Sequence, residues 1–224
     1  NELAYLFCPD VCVVCGEELL GRELDVCLEC LYKLPRTHNY LEKENAAEAL
    51  MAARLPFDRI ASYCAYSKGG MLPPLIHHLK YYGKSRIGIL LGRLFGQDLL
   101  GSEFLKPVDL IVPVPLHPDK ERSRGYNQAE MIALGLSEAT SLPISTGNLT
   151  RVISNPTQTK RTKTQRWENV KGIFDVKRGD VFEEKHLLLV DDVITTGSTL
   201  EACGVALQKC RGVKISVATL GQVF

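Results

Sequence analysis

Leu187-Leu-Leu-Val-Asp-Asp-Val-Ile-Thr-Thr-Gly-Ser-Thr199 decides how this chain is read. A buried apolar strand, Lys185 to Asp191, brings two adjacent carboxylates, Asp191 and Asp192, to the carboxyl edge of a parallel sheet. Open α/β sheets hold their ligands at that edge. The loop that follows is rich in Thr, Gly and Ser and opens directly into a helix from about Thr199. Free backbone N–H groups, hydroxyl donors and a helix N-terminus together favour an anion, above all a phosphate. Gly197 gives the tight turn, where a Cβ would intrude. The two carboxylates do not suit the same anion; they suit vicinal hydroxyls, a metal, or both. A phosphate beside a diol describes a ribose 5-phosphate. The plainer reading is a helix cap beside solvated acids. No Gly-Lys-Ser/Thr ends the loop, so it is not a Walker A motif.

Further strands and helices alternate on either side of this stretch. Arg59 to Tyr66 and Val213 to Leu220 read as strands, and Asp109 to Pro115 as a buried strand stopped by prolines. Met71 to Tyr82, Ile87 to Leu100, Gln128 to Ser141 and Thr199 to Lys209 carry helical spacing. Alternation of this kind predicts an α/β domain with a mostly parallel central sheet. The expected organisation is a small module at 1–38, a linker with a short helix at 39–55, and the α/β domain at 56–224.

The thirteen residues from Leu187 to Thr199 closely resemble the 5-phosphoribosyl-1-pyrophosphate (PRPP) motif of type I phosphoribosyltransferases. The resemblance implies that fold. It also implies that Asp191 and Asp192 hold the ribose hydroxyls, while Thr195, Thr196, Gly197, Ser198 and Thr199 cradle the 5-phosphate. Mg2+ would accompany the pyrophosphate, since a hard cation bridging phosphate oxygens needs few protein ligands.

Two basic segments fit such a ligand. The first, Val112 to Gln128, offers Arg122, Arg124, Lys120 and His117, then Gly125, Asn127 and Gln128 at a helix start, and is read as a pyrophosphate loop. A solvated basic loop is the alternative. The second, Arg151 to Phe174, has six Lys or Arg residues and is too polar for core. It reads as a lid that shields the ribosyl centre from water, with Arg161 and Arg166 reaching the pyrophosphate, Gln158 fixing the base of the loop and Trp167 anchoring it. His77 and His78 are adjacent on a helix and face different sides, which argues against a shared metal. Lys80 is the more interesting residue of that helix.

The chain as a whole is similar to the ComF competence-protein family, phosphoribosyltransferase-like proteins with an N-terminal zinc finger. Leu79-Lys-Tyr-Tyr-Gly83, Val112-Pro-Val-Pro115, Arg124-Gly-Tyr-Asn-Gln128 and the series Arg151, Thr157-Gln158, Arg166, Asn169 and Phe174 carry that likeness. Arg122 matches the family's arginine cluster less closely. The resemblance implies a role in uptake or processing of incoming DNA. Its partners would be PRPP, an acceptor the sequence does not identify, and either a DNA-processing protein or single-stranded DNA. Two functions are open: phosphoribosyl transfer, or PRPP sensing by a non-catalytic adaptor that docks a partner through its zinc module.

Of eight cysteines, Cys12-Val-Val-Cys15 and Cys27-Leu-Glu-Cys30 form two pairs separated by eleven residues. Each pair makes a knuckle with two thiolates, and four thiolates complete a structural Zn2+ site. Metal binding would supply much of the folding energy of a segment with so little apolar sequence. Cys8 is the surplus thiol; Cys64, Cys203 and Cys210 fall on apolar positions and are expected in the core. Arg22, Lys33 and Arg36 are too few to make a basic face.

A formal net charge of +1 over 224 residues gives no global field toward nucleic acid or anionic membrane. No run approaches the roughly 18–20 apolar residues of a membrane span, and Asn1 to Phe7 lacks a secretory layout. A cytoplasmic protein without membrane insertion is expected.

Overall fold

A four-stranded, wholly parallel sheet organises the molecule, in the order β1-β6-β5-β2. Its strands are β1 (Ile60–Tyr66), β2 (Leu110–Pro113), β5 (His186–Ile194) and β6 (Lys214–Val223). The computed structural model describes residues 10–21, 23–153 and 172–223. In β5, Leu187 and Leu189 face one apolar cluster and Leu188 and Val190 face the other. That two-residue period, apolar on both faces, is what a sheet covered by helices requires.

A short helix, α1 (Leu28–Tyr32), lies in the N-terminal segment; α3 (Leu72–Tyr81), α4 (Ser85–Leu99) and α6 (Gln128–Thr140) cover one face of the sheet, and α2 (Ala46–Met51) and α7 (Ser198–Leu207) the other. Pro73 and Pro74 sit at the start of α3, where no backbone N–H is needed. Glycines bring α4 and α6 into close contact: a Cβ on Gly135 would lie 2.0 Å from the Ile89 carbonyl oxygen, and one on Gly92 2.2 Å from that of Ile132.

The parallel α/β sheet matches the sequence expectation, and most element ends fall within a few residues of it. Three features differ. Pro118–Arg124, read as loop, is a helix, α5. Strand β5 continues beyond the aspartates to Ile194, because Val193 and Ile194 keep the apolar pattern. Leu149–Arg151 (β3) pairs antiparallel with Phe174–Val176 (β4), which puts a hairpin at the base of the basic segment. The span 39–55 contains a 3-10 turn at Asn39–Leu41 and then α2, whose capping box joins Asn45 and Glu48.

The N-terminal segment does not stand apart from the core. Cys12, Val26, Cys27, Cys30 and Leu34 join the apolar cluster of α3 and α4. Cys64, Cys203 and Cys210 are buried, as expected. Among the described residues, no helix is long and apolar enough to cross a membrane.

Candidate functional site

The carboxyl end of β5 places Asp191 and Asp192 on opposite faces of the sheet. Asp192 is buried, and its Oδ1 meets Lys80 Nζ of α3 at 2.8 Å. Asp191 is partly buried beside α7, and its Oδ1 accepts from the Asp192 backbone N–H at 2.8 Å. Burial and the neighbouring Asp192 carboxylate push Asp191 up to about 7, against the pull of that N–H and of Lys80 and Arg151.

Beyond Ile194 the chain turns through Thr195 and Thr196 to Gly197, which holds φ 75° as the residue before α7. Thr195, Thr196, Ser198 and Thr199 are exposed, and the hydroxyls of Thr196 and Ser198 lie 3.0 Å apart. Four exposed residues with hydroxyls and the first N–H groups of a ten-residue helix thus follow directly on the two aspartates. Met51 closes this loop from behind: a Cβ on Gly197 would fall 2.0 Å from its Sδ. Arg54, paired with Glu201 at 2.8 Å, fastens the same segment to α7.

The loop after β2 meets the end of α3. Tyr126 Oη donates to the Leu79 carbonyl. Arg124 lies over the Tyr81 ring, 5.7 Å from its centroid, and donates to Gln128 Oε1. Gly125 ends α5 with φ 85°. Asn127 and Gln128 are buried. Asn127 caps α6 through the Ala129 N–H at 3.0 Å and donates to the Val114 carbonyl at 3.0 Å. Its part is therefore to fix the loop to the strand. Arg122 is 78 % exposed and pairs with Asp119 on its own helix at 2.5 Å. Asp191 and the Thr195–Thr199 loop thus follow one another at the carboxyl end of β5, Asp192 faces the other side of the sheet onto Lys80, and Arg124 lies against the Tyr81 ring. Arg161, Arg166, Gln158, Trp167 and the proposed lid lie outside the described residues, as does Cys8.

Sequence reasoning did not find three contacts: Lys80 on Asp192, Met51 behind Gly197, and the charge of Arg151 near Asp191. Their partners are far apart along the chain, and no local pattern pairs them.

Cys12, Cys15, Cys27 and Cys30 converge, with all four Sγ atoms within 4.8 Å of one another. Cys15 and Cys27 Sγ are 3.8 Å apart, which is the edge, about 3.8 Å, of a tetrahedron with Zn–S bonds of about 2.3 Å. Backbone N–H groups point at Cys12 and Cys27 Sγ, each at 3.4 Å, as thiolates require. Gly16, at φ 78°, turns the first knuckle. The cluster fits a metal ion such as zinc.

No protein-family model matches the chain. It is 30% identical over 193 residues to the DNA utilization protein YhgH of Escherichia coli (strain K12), covering 85% of this chain and 80% of that protein. The chain belongs to the ComF family. Competence protein F of Haemophilus influenzae is 34% identical over 139 residues, 60% of this chain and 61% of that one. Competence protein ComFC of Bacillus subtilis is 34% identical over 112 residues, 50% and 43% of the two chains. Among solved structures, this ComF-family chain is similar to an allosteric regulatory enzyme of purine biosynthesis at TM-score 0.40 and 21% identity, over 60% of this chain and about a quarter (25%) of that one. A purine phosphoribosyltransferase from Pyrococcus horikoshii gives TM-score 0.38 and 18% identity, over 64% and 76%.

Proposed function

We propose that this ComF-family protein binds PRPP at the end of β5 and transfers its phosphoribosyl group to an acceptor nitrogen. The observation that carries the reading is the juxtaposition of the Asp191-Asp192 pair with the hydroxyl-lined turn at Gly197. The hydroxyls of Thr195, Thr196, Ser198 and Thr199 and the N–H groups opening α7 donate to the 5-phosphate. Asp191 and Asp192 accept from the ribose hydroxyls and stabilise the positive charge that develops on the sugar. The C1–O bond to pyrophosphate breaks, a C1–N bond forms, and the acceptor nitrogen gives up a proton. Mg2+, entering with the pyrophosphate, would neutralise the leaving group; hard carboxylate oxygens suit it. The raised Asp191 predicts tighter binding as pH rises through 7, when that carboxyl gives up its proton. The four-cysteine zinc site is structural, since four thiolates leave no open position. The relatives named for DNA utilization and for competence support a role in handling incoming DNA.

Calorimetry with PRPP and Mg2+ tests the reading. The double variant Asp191→Asn/Asp192→Asn should fold and bind at least tenfold more weakly, about 1.4 kcal/mol. Unchanged affinity overturns the assignment. Pyrophosphate release with a panel of bases then separates transfer from sensing: binding without release makes the protein a PRPP sensor.

A further inference from the structure

Two ion pairs bracket the end of α3. Lys80 Nζ meets Asp192 at 2.8 Å, and a turn further on Lys84 Nζ meets Asp25 Oδ1 of the N-terminal segment at 2.6 Å. The stretch between them is short and held. The Tyr82 N–H donates to the His78 carbonyl, the His78 ring stacks on that of Tyr82 at 4.7 Å, and Gly83 turns the chain toward α4 at φ 70°. Tyr126 fastens the Leu79 carbonyl to the loop that carries Arg124.

Asp25 is itself fixed by the cysteine knuckles. It stands two residues before Cys27, and its carbonyl accepts from the N–H of Val13, the residue after Cys12, at 2.9 Å. Its side chain is 12% exposed, whereas that of Lys84 is 45% exposed. A carboxylate so enclosed is costly without its cation, while the lysine has water as an alternative. The aspartate therefore sets the position and the lysine follows it. The other end of α3 meets the same module, where Met71 lines one cavity with Cys15, Cys27 and Cys30. Cys12, Cys27 and Cys30 also share an apolar cluster with Leu72, Leu75 and Leu79. Drawing the four thiolates together on a metal thus places Asp25 and, through Lys84, the helix end that presents Lys80 to Asp192.

On the reading that PRPP occupies the end of β5, we infer that Asp25 and Lys84 are positioning residues for that ligand, through which zinc binding and PRPP binding strengthen each other. They act on the site only through Lys80, which orients the Asp192 carboxylate. Coupling between two sites is reciprocal, so the factor that zinc adds to PRPP affinity is the factor that PRPP adds to zinc affinity. An ion pair that served the fold alone would carry no such factor.

Equilibrium competition for zinc between the full zinc-loaded chain and a chromophoric chelator, with and without saturating PRPP and Mg2+, measures the coupling. PRPP should tighten zinc about fivefold in the parent. Asp25→Asn removes the charge but keeps a residue at home in the left-handed backbone at φ 64°. Lys84→Met keeps the aliphatic stem. Each variant should still hold one zinc, should lose most of the PRPP effect on it, and should bind PRPP about fivefold more weakly by calorimetry. The double variant should be no weaker than either single one, because both remove the same pair. Comparing variants at one solution composition cancels any zinc taken up by PRPP itself. A PRPP effect on zinc that is equal in the parent and in Asp25→Asn overturns the inference. So does weaker PRPP binding in Lys84→Met that Asp25→Asn does not share, which would put Lys84 on the ligand itself. Should the parent bind no PRPP, the reading of the site falls and the inference with it; PRPP binding that leaves the parent's zinc affinity unmoved sinks the inference alone.

Discussion

Lys80 Nζ and Asp192 Oδ1 lie 2.8 Å apart across 112 residues of sequence, with the carboxylate side chain only 7% exposed. Removing the lysine strands a buried charge at the end of β5. Lys80→Met should therefore destabilise the fold by about 2 kcal/mol, less than a fully enclosed pair because the lysine is 26% exposed. Lys80→Met/Asp192→Asn should recover more than half of that. Urea denaturation of the four-member cycle measures the coupling, and strictly additive losses would show that the pair is not coupled.

The turn at Gly197 combines a left-handed backbone with a side chain pressed against it. Gly197→Ala meets both obstacles: about 1–2 kcal/mol for the backbone and a Cβ 2.0 Å from Met51 Sδ. Met51→Ala should relieve the second obstacle alone. The double variant is thus expected to be more stable than the sum of the single losses, while still weaker than the parent in binding PRPP. Equal losses with and without Met51 would place the steric conflict elsewhere.

Elemental analysis should find one zinc per chain. Cys12→Ser should lower that content and the melting temperature together, because Cys12, Cys27 and Cys30 sit in the apolar cluster of α3 and α4. Full zinc retention in the variant would transfer the ligand role to Cys8 or another residue.

His186 is buried at the start of β5, with Nε2 2.9 Å from Ser216 Oγ. Burial, helped by Lys214 and opposed by Asp58 and Asp109, holds its pKa below the ordinary 6.5. The unfolded chain takes up a proton near that value and the folded chain resists, so this stability is present above about pH 6.5 and is lost as pH falls. Denaturation midpoints for the parent and His186→Gln should converge toward acid; parallel curves would remove the histidine from the account.

How much of this was legible in the sequence depended on local pattern. β5, its two aspartates and the turn to α7 lie in one unbroken stretch, and the paired cysteines carry their own spacing. Pro118–Arg124 is not legible as a helix because a proline and six polar residues show no apolar period. His117-Pro118-Asp119, a capping residue followed by proline at the first helical position, was the available signal. β3 and β4 are three residues each, and their partners are too far apart for turn chemistry to announce a hairpin. The contact of Lys80 with Asp192 depends on how α3 crosses the sheet, which only packing determines.

The pairing of β1 with β6 bears on how the chain is made. Ile60 lies beside Val217, 157 residues later. At ribosomal speeds of about 5–20 residues per second, β1 waits on the order of 10 s for its partner strand. Until then its buried edge is open, and the sheet beneath the aspartates lacks a neighbour for β5. The N-terminal half is therefore exposed to chaperones and proteases during synthesis, and a nascent chain stopped before Lys214 ends without the strand that lies beside Asp191.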